Sequence, residues 1–437
     1  MPSTRFWLQA GVVALVASLY APAFLRLLHV LGVFRQPQSS DVSAVDLVAI
    51  EDTVHCEDLH LHEPSNTLFT ACEDSADTRF SWFPGLATFK DPIKAVSSRG
   101  SIHTIDPKTF KSKRLQFDNF NGPFITHGID VISDSASPDA VYIFAVNHVP
   151  HAEFVDYHKG NQDNIHPPSW KAASQIEVFH HVLGSPTVKH VRSIQHPLIK
   201  TPNDILARSP TSIYVTNDHY YPEGHMRLLE DVYFGAKWST IVHIQIEQMS
   251  EPNPTLGLNA TIVLDSLHNN NGLGNAGSPN EIAIGSASSG TLHIAHVTDN
   301  NKKLEVLESI PIDSTIDNPS FFKDTYATAQ DDDSSGYVVA GLTRAADLAK
   351  TSSDPSATEP LMVWLVRPGK QQGGDNAGQA PSWEKKLLFE DDGTRMRSAA
   401  TAVLIGIDPK LEGGKKKAWL VVTGFSSANA LAVKVDL

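Results

Sequence analysis

From residue 45 to the C-terminus, short runs of apolar and β-branched residues alternate with clusters of Asn, Asp, Gly, Pro and Ser. Runs such as SIHTI (101–105), QIEVFHHV (175–182), IVHIQIE (241–247), TLHIAHV (291–297), LMVWLV (361–366) and LAVKVDL (431–437) predict strands. No long stretch beyond the N-terminus carries the 3.6-residue period of an amphipathic helix; LTRAADLAK (342–350) comes nearest. The strands fall into a recurring two-strand unit. Asn203-Asp204 open an apolar strand, a Ser209-Pro210 turn follows, and a β-branched and aromatic strand ends at Asn217-Asp218-His219. The same layout starts at Glu57-Asp58, His127-Gly128, Asn271-Gly272, Asp317-Asn318 and Ser398, which makes six copies. Radial repetition of this kind predicts an all-β, six-bladed β-propeller, with one strand start per blade aimed at a common axis. About 400 residues shared among six blades leaves roughly 65 each, so the loops are long.

The N-terminus breaks the pattern. Residues 6–25 form an uncharged apolar run of twenty behind Arg5, long enough for a helix to cross a bilayer. Ala21-Pro22-Ala23 offers a small-residue cleavage site, but the apolar character continues to Phe34, which favours a retained anchor over a cleaved signal. The expected organisation is therefore a signal or anchor segment with a hydrophobic helix (1–35), a linker (36–44) and a six-bladed propeller domain (45–437). Asn259-Ala260-Thr261 is the one glycosylation sequon free of proline. Together these features predict a secreted or membrane-anchored protein whose propeller faces the secretory lumen or cell exterior. The net charge of −14 argues against nucleic acid as a partner and suits a protein that collects cations.

The chain has two cysteines, Cys56 and Cys72. A hairpin turning at Glu63-Pro64-Ser65 sets them opposite one another, and an oxidising compartment would let them bridge; two buried thiols are the alternative. The 20 histidines lack the spacing of a zinc site, and no GxSxG elbow, Rossmann glycine pattern or P-loop is present. His127 and His148 stand apart because each lies at an end of a two-strand unit, beside the predicted axis. Asn, Asp and Gly punctuate turns in any β protein. Their recurrence at one place in successive units points instead to hard oxygen ligands gathered on the axis, a donor set that suits calcium.

The stretches CEDLHL (56–61), FITHGIDVI (124–132), AVNH (145–148), PNDILA (202–207), TNDHYY (216–221), NNGL (270–273) and IDNP (316–319) occur in the order of the serum paraoxonase/arylesterase family of calcium-dependent lactonases, which this chain resembles from about residue 45 onward. The resemblance implies a calcium-dependent carboxylic-ester hydrolase of the arylesterase or lactonase type, acting on small lactones and esters. It also implies two calcium ions. The catalytic one would be held by Glu57, Asn203, Asn271, Asp317 and Asn318, with Asn269 and Asn270 as competitors for the Asn271 position. The structural one would be held by Asp58, Asp204 and the backbone carbonyl of Ile129. His127 is implied as the base that activates water and His148 as its partner, a role suited to imidazole; His219 is implied as a wall of the pocket. Two departures stand out. The family's bridge between first and last strands has no closing Cys near Val435, so strand pairing alone would close the ring. Thr343 stands where the family often has His. The alternatives are a strictosidine-synthase-like or gluconolactonase-like propeller enzyme, and a non-catalytic calcium-stabilised binding propeller.

Overall fold

A computed structural model of the chain describes residues 18, 20–160, 168–329, 332–369 and 382–437. The strand runs form as the alternation predicts, and the sheets divide the chain evenly. Four sheets have four strands each, and a fifth has eight. The eight-stranded sheet is two antiparallel four-stranded units joined where Ser112–Asp118 runs parallel to Thr187–Ile194. Six four-stranded antiparallel units are thus found among the described residues.

The first strand of each unit lies innermost. These six are Cys56–His62, Thr126–Ser133, Pro202–Ser209, Asn270–Asn275, Ser320–Phe322 and Ala399–Ile407. Each touches the next, and the last returns to the first, so they close a ring in a propeller-like arrangement. The ring is sealed by the sheet of the last unit. There Leu47–Ile50 adds as an outer strand beside Ala430–Asp436, with Leu47 opposite Val433 and Ile50 opposite Ala430. Apolar side chains fill the spaces between neighbouring units: Phe144, Val178, Ile205 and Val242 pack together, as do Val338, Leu365, Leu404 and Leu420. Burial of this kind contributes about 1.5–3 kcal/mol per large side chain.

The apolar run 6–25 lies mostly outside the described residues. Residues 20–30 are helical, and no helix among the described residues is long and apolar enough to cross a membrane. The end of this segment is docked on the sheets: Val30 is fully buried, and Arg26 donates to the Gly290 carbonyl. Within 36–44, Ser40 exchanges hydrogen bonds with Glu390, and Ser39 accepts from the Asp392 amide. Two helices were not expected from the sequence, Ala152–His158 and Gly224–Val232, each too short to stand out as a long amphipathic run. Both sit in long connections within units, where Phe154 packs with Trp82 and Phe89 and the Glu230 carboxylate accepts from the Tyr220 and Tyr221 amides, supplying what a short helix lacks on its own.

Candidate active site

Five of the six innermost strands share one irregularity. Their pairing slips between Cys56 and Leu59, Thr126 and Ile129, Pro202 and Ile205, Asn270 and Leu273, and Ala399 and Thr401. Four of the slips fall on the pair that opens the unit, and the fifth falls on Ala400, two residues after Ser398. A bulge re-aims side chains and frees backbone groups from the ladder, and here the freed amides are taken up around the ring. Asp58 Oδ2 accepts from the Ile129 amide at 2.8 Å, Asp130 Oδ2 from Ala207 at 2.6 Å, and Asp204 Oδ2 from Leu273 at 2.6 Å. Each carboxylate thus ties its own strand to the first strand of a following unit. Thr401 Oγ1 donates to Asp58 Oδ1 at 2.7 Å and continues the circuit. Glycine is required where these strands approach. A Cβ on Gly128 would stand 2.4 Å from Asp204 Oδ1, and one on Gly272 would stand 2.3 Å from Asn318 Oδ1.

Beside this circuit lies a set of oxygens without partners. Glu57 Oε2, Asn203 Oδ1, Asn271 Oδ1, Asp317 Oδ1 and Asn318 Oδ1 are buried and accept no hydrogen bond. Asn270 presents a second carboxamide in the same condition, whereas Asn269 Oδ1 accepts from the Ser288 amide. Buried acceptors without donors are costly, and these five come from residues at the starts of several units. Burial, reinforced by neighbouring carboxylates, pushes Glu57, Asp204 and Asp317 well above the usual carboxylate range, and burial raises Asp58. Acids so crowded must be protonated or balanced by positive charge. Among the described residues no three His, Cys, Asp or Glu side chains converge in metal-holding geometry, so carboxylates alone do not make the site. The mixed carboxylate and carboxamide set fits a hard cation such as calcium.

His127 and His148 meet at the same place. His127 Nδ1 is 3.0 Å from His148 Nε2, and His148 Nδ1 is 2.8 Å from Ser174 Oγ. His127 Nε2 faces the Asn203 carboxamide at 3.4 Å. These contacts are compatible with either direction of the chain; in one, each Nδ1 carries a proton and His127 Nε2 is an acceptor facing the Asn203 amide. Burial, with Arg79 adding to it, pushes His127 down to about 3, and burial beside His127 holds His148 well below the ordinary value. Both rings are therefore neutral at neutral pH. A small cavity of about 20 Å³ lies against His148, Ser174 and Asp218. Phe83 packs on both rings, with centroids 4.9 Å from His127 and 6.1 Å from His148, and stacks with Phe425 at 6.2 Å.

His219 is held between two acids, with Nε2 2.8 Å from Asp231 Oδ1 and Nδ1 3.1 Å from Asp218 Oδ1. Burial works against its charge, but these carboxylates raise its pKa. Cys56 and Cys72 face each other in register and are joined by a disulfide next to Glu57. Asn259 is exposed on the outer strand Leu258–Leu267. Ser174, Arg79 and Phe83 gave no signal in the sequence, because none of them belongs to a repeated polar pair.

Residues 165–327 match the family model described as Arylesterase. Serum paraoxonase/arylesterase 2 from Gallus gallus is 30% identical over 173 residues, covering 39% of this chain and 41% of that protein. Its Homo sapiens counterpart is 26% identical over 244 residues, covering 54% and 57%. The matched regions thus span about half the length of these relatives. Among solved structures, a luciferin-regenerating enzyme covers 92% of this chain and 96% of its own at 10% identity, with a TM-score of 0.43, too loose a likeness to bear on function. The ordered motifs, the family match and these relatives agree: over its matched part the chain is similar to the serum paraoxonase/arylesterase family.

Proposed function

We propose that this protein hydrolyses carboxylic esters and lactones at the end of the axis where His127 and His148 meet. The observation that carries the reading is a neutral histidine pair set directly beside five unpartnered buried oxygens. Glu57, Asn203, Asn271, Asp317 and Asn318 would hold a calcium ion, with Asn270 beside them. A bound calcium supplies Lewis-acid polarisation of a carbonyl oxygen and offsets the negative charge that develops there. His127 Nε2 accepts a proton from water, while its Nδ1 remains bonded to His148. His148 fixes the His127 ring and shares its positive charge, and Ser174 Oγ holds His148 in the required tautomer. Phe83 and Phe425 form an apolar wall that excludes bulk water and suits an aromatic or aliphatic ester. Asp58 and Asp204 are read as the side-chain ligands of a second, structural ion, with the Ile129 carbonyl completing it. The Cys56–Cys72 bridge and the exposed Asn259 sequon support a secretory setting, with the N-terminal segment as anchor.

The test is hydrolysis of phenyl acetate and a simple γ-lactone by the purified protein, with calcium and with excess chelator. Turnover that depends on calcium and is lost in His127→Gln supports the reading. Calcium-dependent melting without hydrolysis of any ester or lactone would favour a binding propeller instead.

A further inference from the structure

We infer that Arg79 is a positioning residue that holds His127 in register with Glu57; the inference rests on the hydrolase reading above. Arg79 ends the short helix Ala76–Arg79 and is 2% exposed. Its Nη2 donates to the His55 carbonyl at 3.2 Å and to the Thr126 carbonyl at 3.3 Å. Thr126 immediately precedes His127, and His55 lies two residues before Glu57. One nitrogen therefore staples the starts of two innermost strands at the point where both ladders slip. The guanidinium also lies 4.0 Å over the Phe83 ring, the ring that packs on His127.

The other two nitrogens, Nε and Nη1, are buried without partners. Glu73 and Glu57 offset its charge, but stability alone does not call for the group, since a buried ion pair replaced as a whole by apolar side chains is often as stable. What an apolar chain cannot do is bridge two carbonyls and stack a flat cation on an aromatic ring at once. Lysine could reach a carbonyl but lacks the rigid plane. Arg79 thus fixes the spacing between the base and the oxygen cluster, and the face that His127 presents.

The experiment is a double-mutant cycle with calcium at saturation. Arg79→Met is expected to lower kcat by ~10²-fold, the loss typical of a misplaced reacting group, and to change KM by less than about threefold. Arg79→Lys should fall between Met and wild type, and calorimetric titration should find calcium affinity unchanged in both. In a His127→Gln background, Arg79→Met should lower turnover by less than about threefold more, because the two residues act through one step. If Arg79→Met adds its full loss on top of His127→Gln, or lowers calcium affinity in step with kcat, the positioning role is wrong. If His127→Gln alone keeps near-normal turnover, the base reading falls, and the Arg79 inference with it. Should Arg79→Met fail to fold, Arg79→Lys in the same cycle decides the matter.

Discussion

Replacing Cys56 and Cys72 together by alanine tests how the first bulge is held. The two residues are 16 positions apart and directly opposed, so the bridge closes one tight hairpin. Chain-entropy reasoning for a loop of this size gives about 3 kcal/mol of stabilisation. Both side chains are almost fully buried, so the loss is not recovered by solvation. The site should feel it as well. Cys56 adjoins Glu57, and the pairing resumes only at Leu59; the remaining clamps include Thr423 Oγ1, which donates to the Glu57 carbonyl at 2.9 Å, and Thr70 Oγ1, which donates to the Asp58 carbonyl at 2.5 Å. Urea unfolding of both proteins with calcium present should show a lower midpoint at an unchanged slope. Ester turnover should fall while KM holds, since the change displaces a ligand to the ion and leaves the apolar wall in place. A double variant within about 0.5 kcal/mol of wild type, with full turnover, would refute the view that the bridge pins the bulge.

Calcium removal should lower the melting temperature of the whole propeller, because the oxygens come from several units; an unchanged melt in excess chelator would sink the cation reading. His127→Gln should reduce lactone turnover by ~10²–10⁴-fold and His148→Gln by less, measured against unaltered calcium binding. Asp58→Ala strands the Ile129 and Leu59 amides and should lower stability by about 1–3 kcal/mol for each buried group left unpaired, whereas Asp317→Asn, whose Oδ1 has no partner, should remove activity with little change in a calcium-free melt. Buried His103 is pushed down to about 4 by its burial and by Arg114. Between that value and the ordinary 6.5 the unfolded chain binds the extra proton, so stability should fall as pH drops through this window. Melts from pH 7.5 to 4.5 should show a shallower fall in His103→Gln; an identical slope would remove His103 from the acid response.

The strands, the polar residues that open the six units and the opposition of the cysteines were legible in the chain because each rests on short-range regularity. Alternation sets which face is buried, turn residues set the hairpins, and polar residues repeated at each strand start stand out against apolar surroundings. His127 and His148 could be singled out for the same reason. The bulges could not be read, because a register slip depends on what the partner strand offers at that point. Asn271 was the expected ligand, with adjacent Asn269 and Asn270 as competitors that the sequence could not dismiss. Only the fold gives Asn269 a backbone donor and leaves the other two oxygens without one. Ser174 and Arg79 lie in stretches with no repeat, and they matter because the ring brings them against residues far away in the chain. By itself the sequence determined a repeating β architecture and a list of polar residues turned towards its axis. The tertiary structure decided which oxygens are satisfied by neighbouring strands and which are left without a donor, since an acceptor's partner is fixed by proximity in space and not by spacing along the chain.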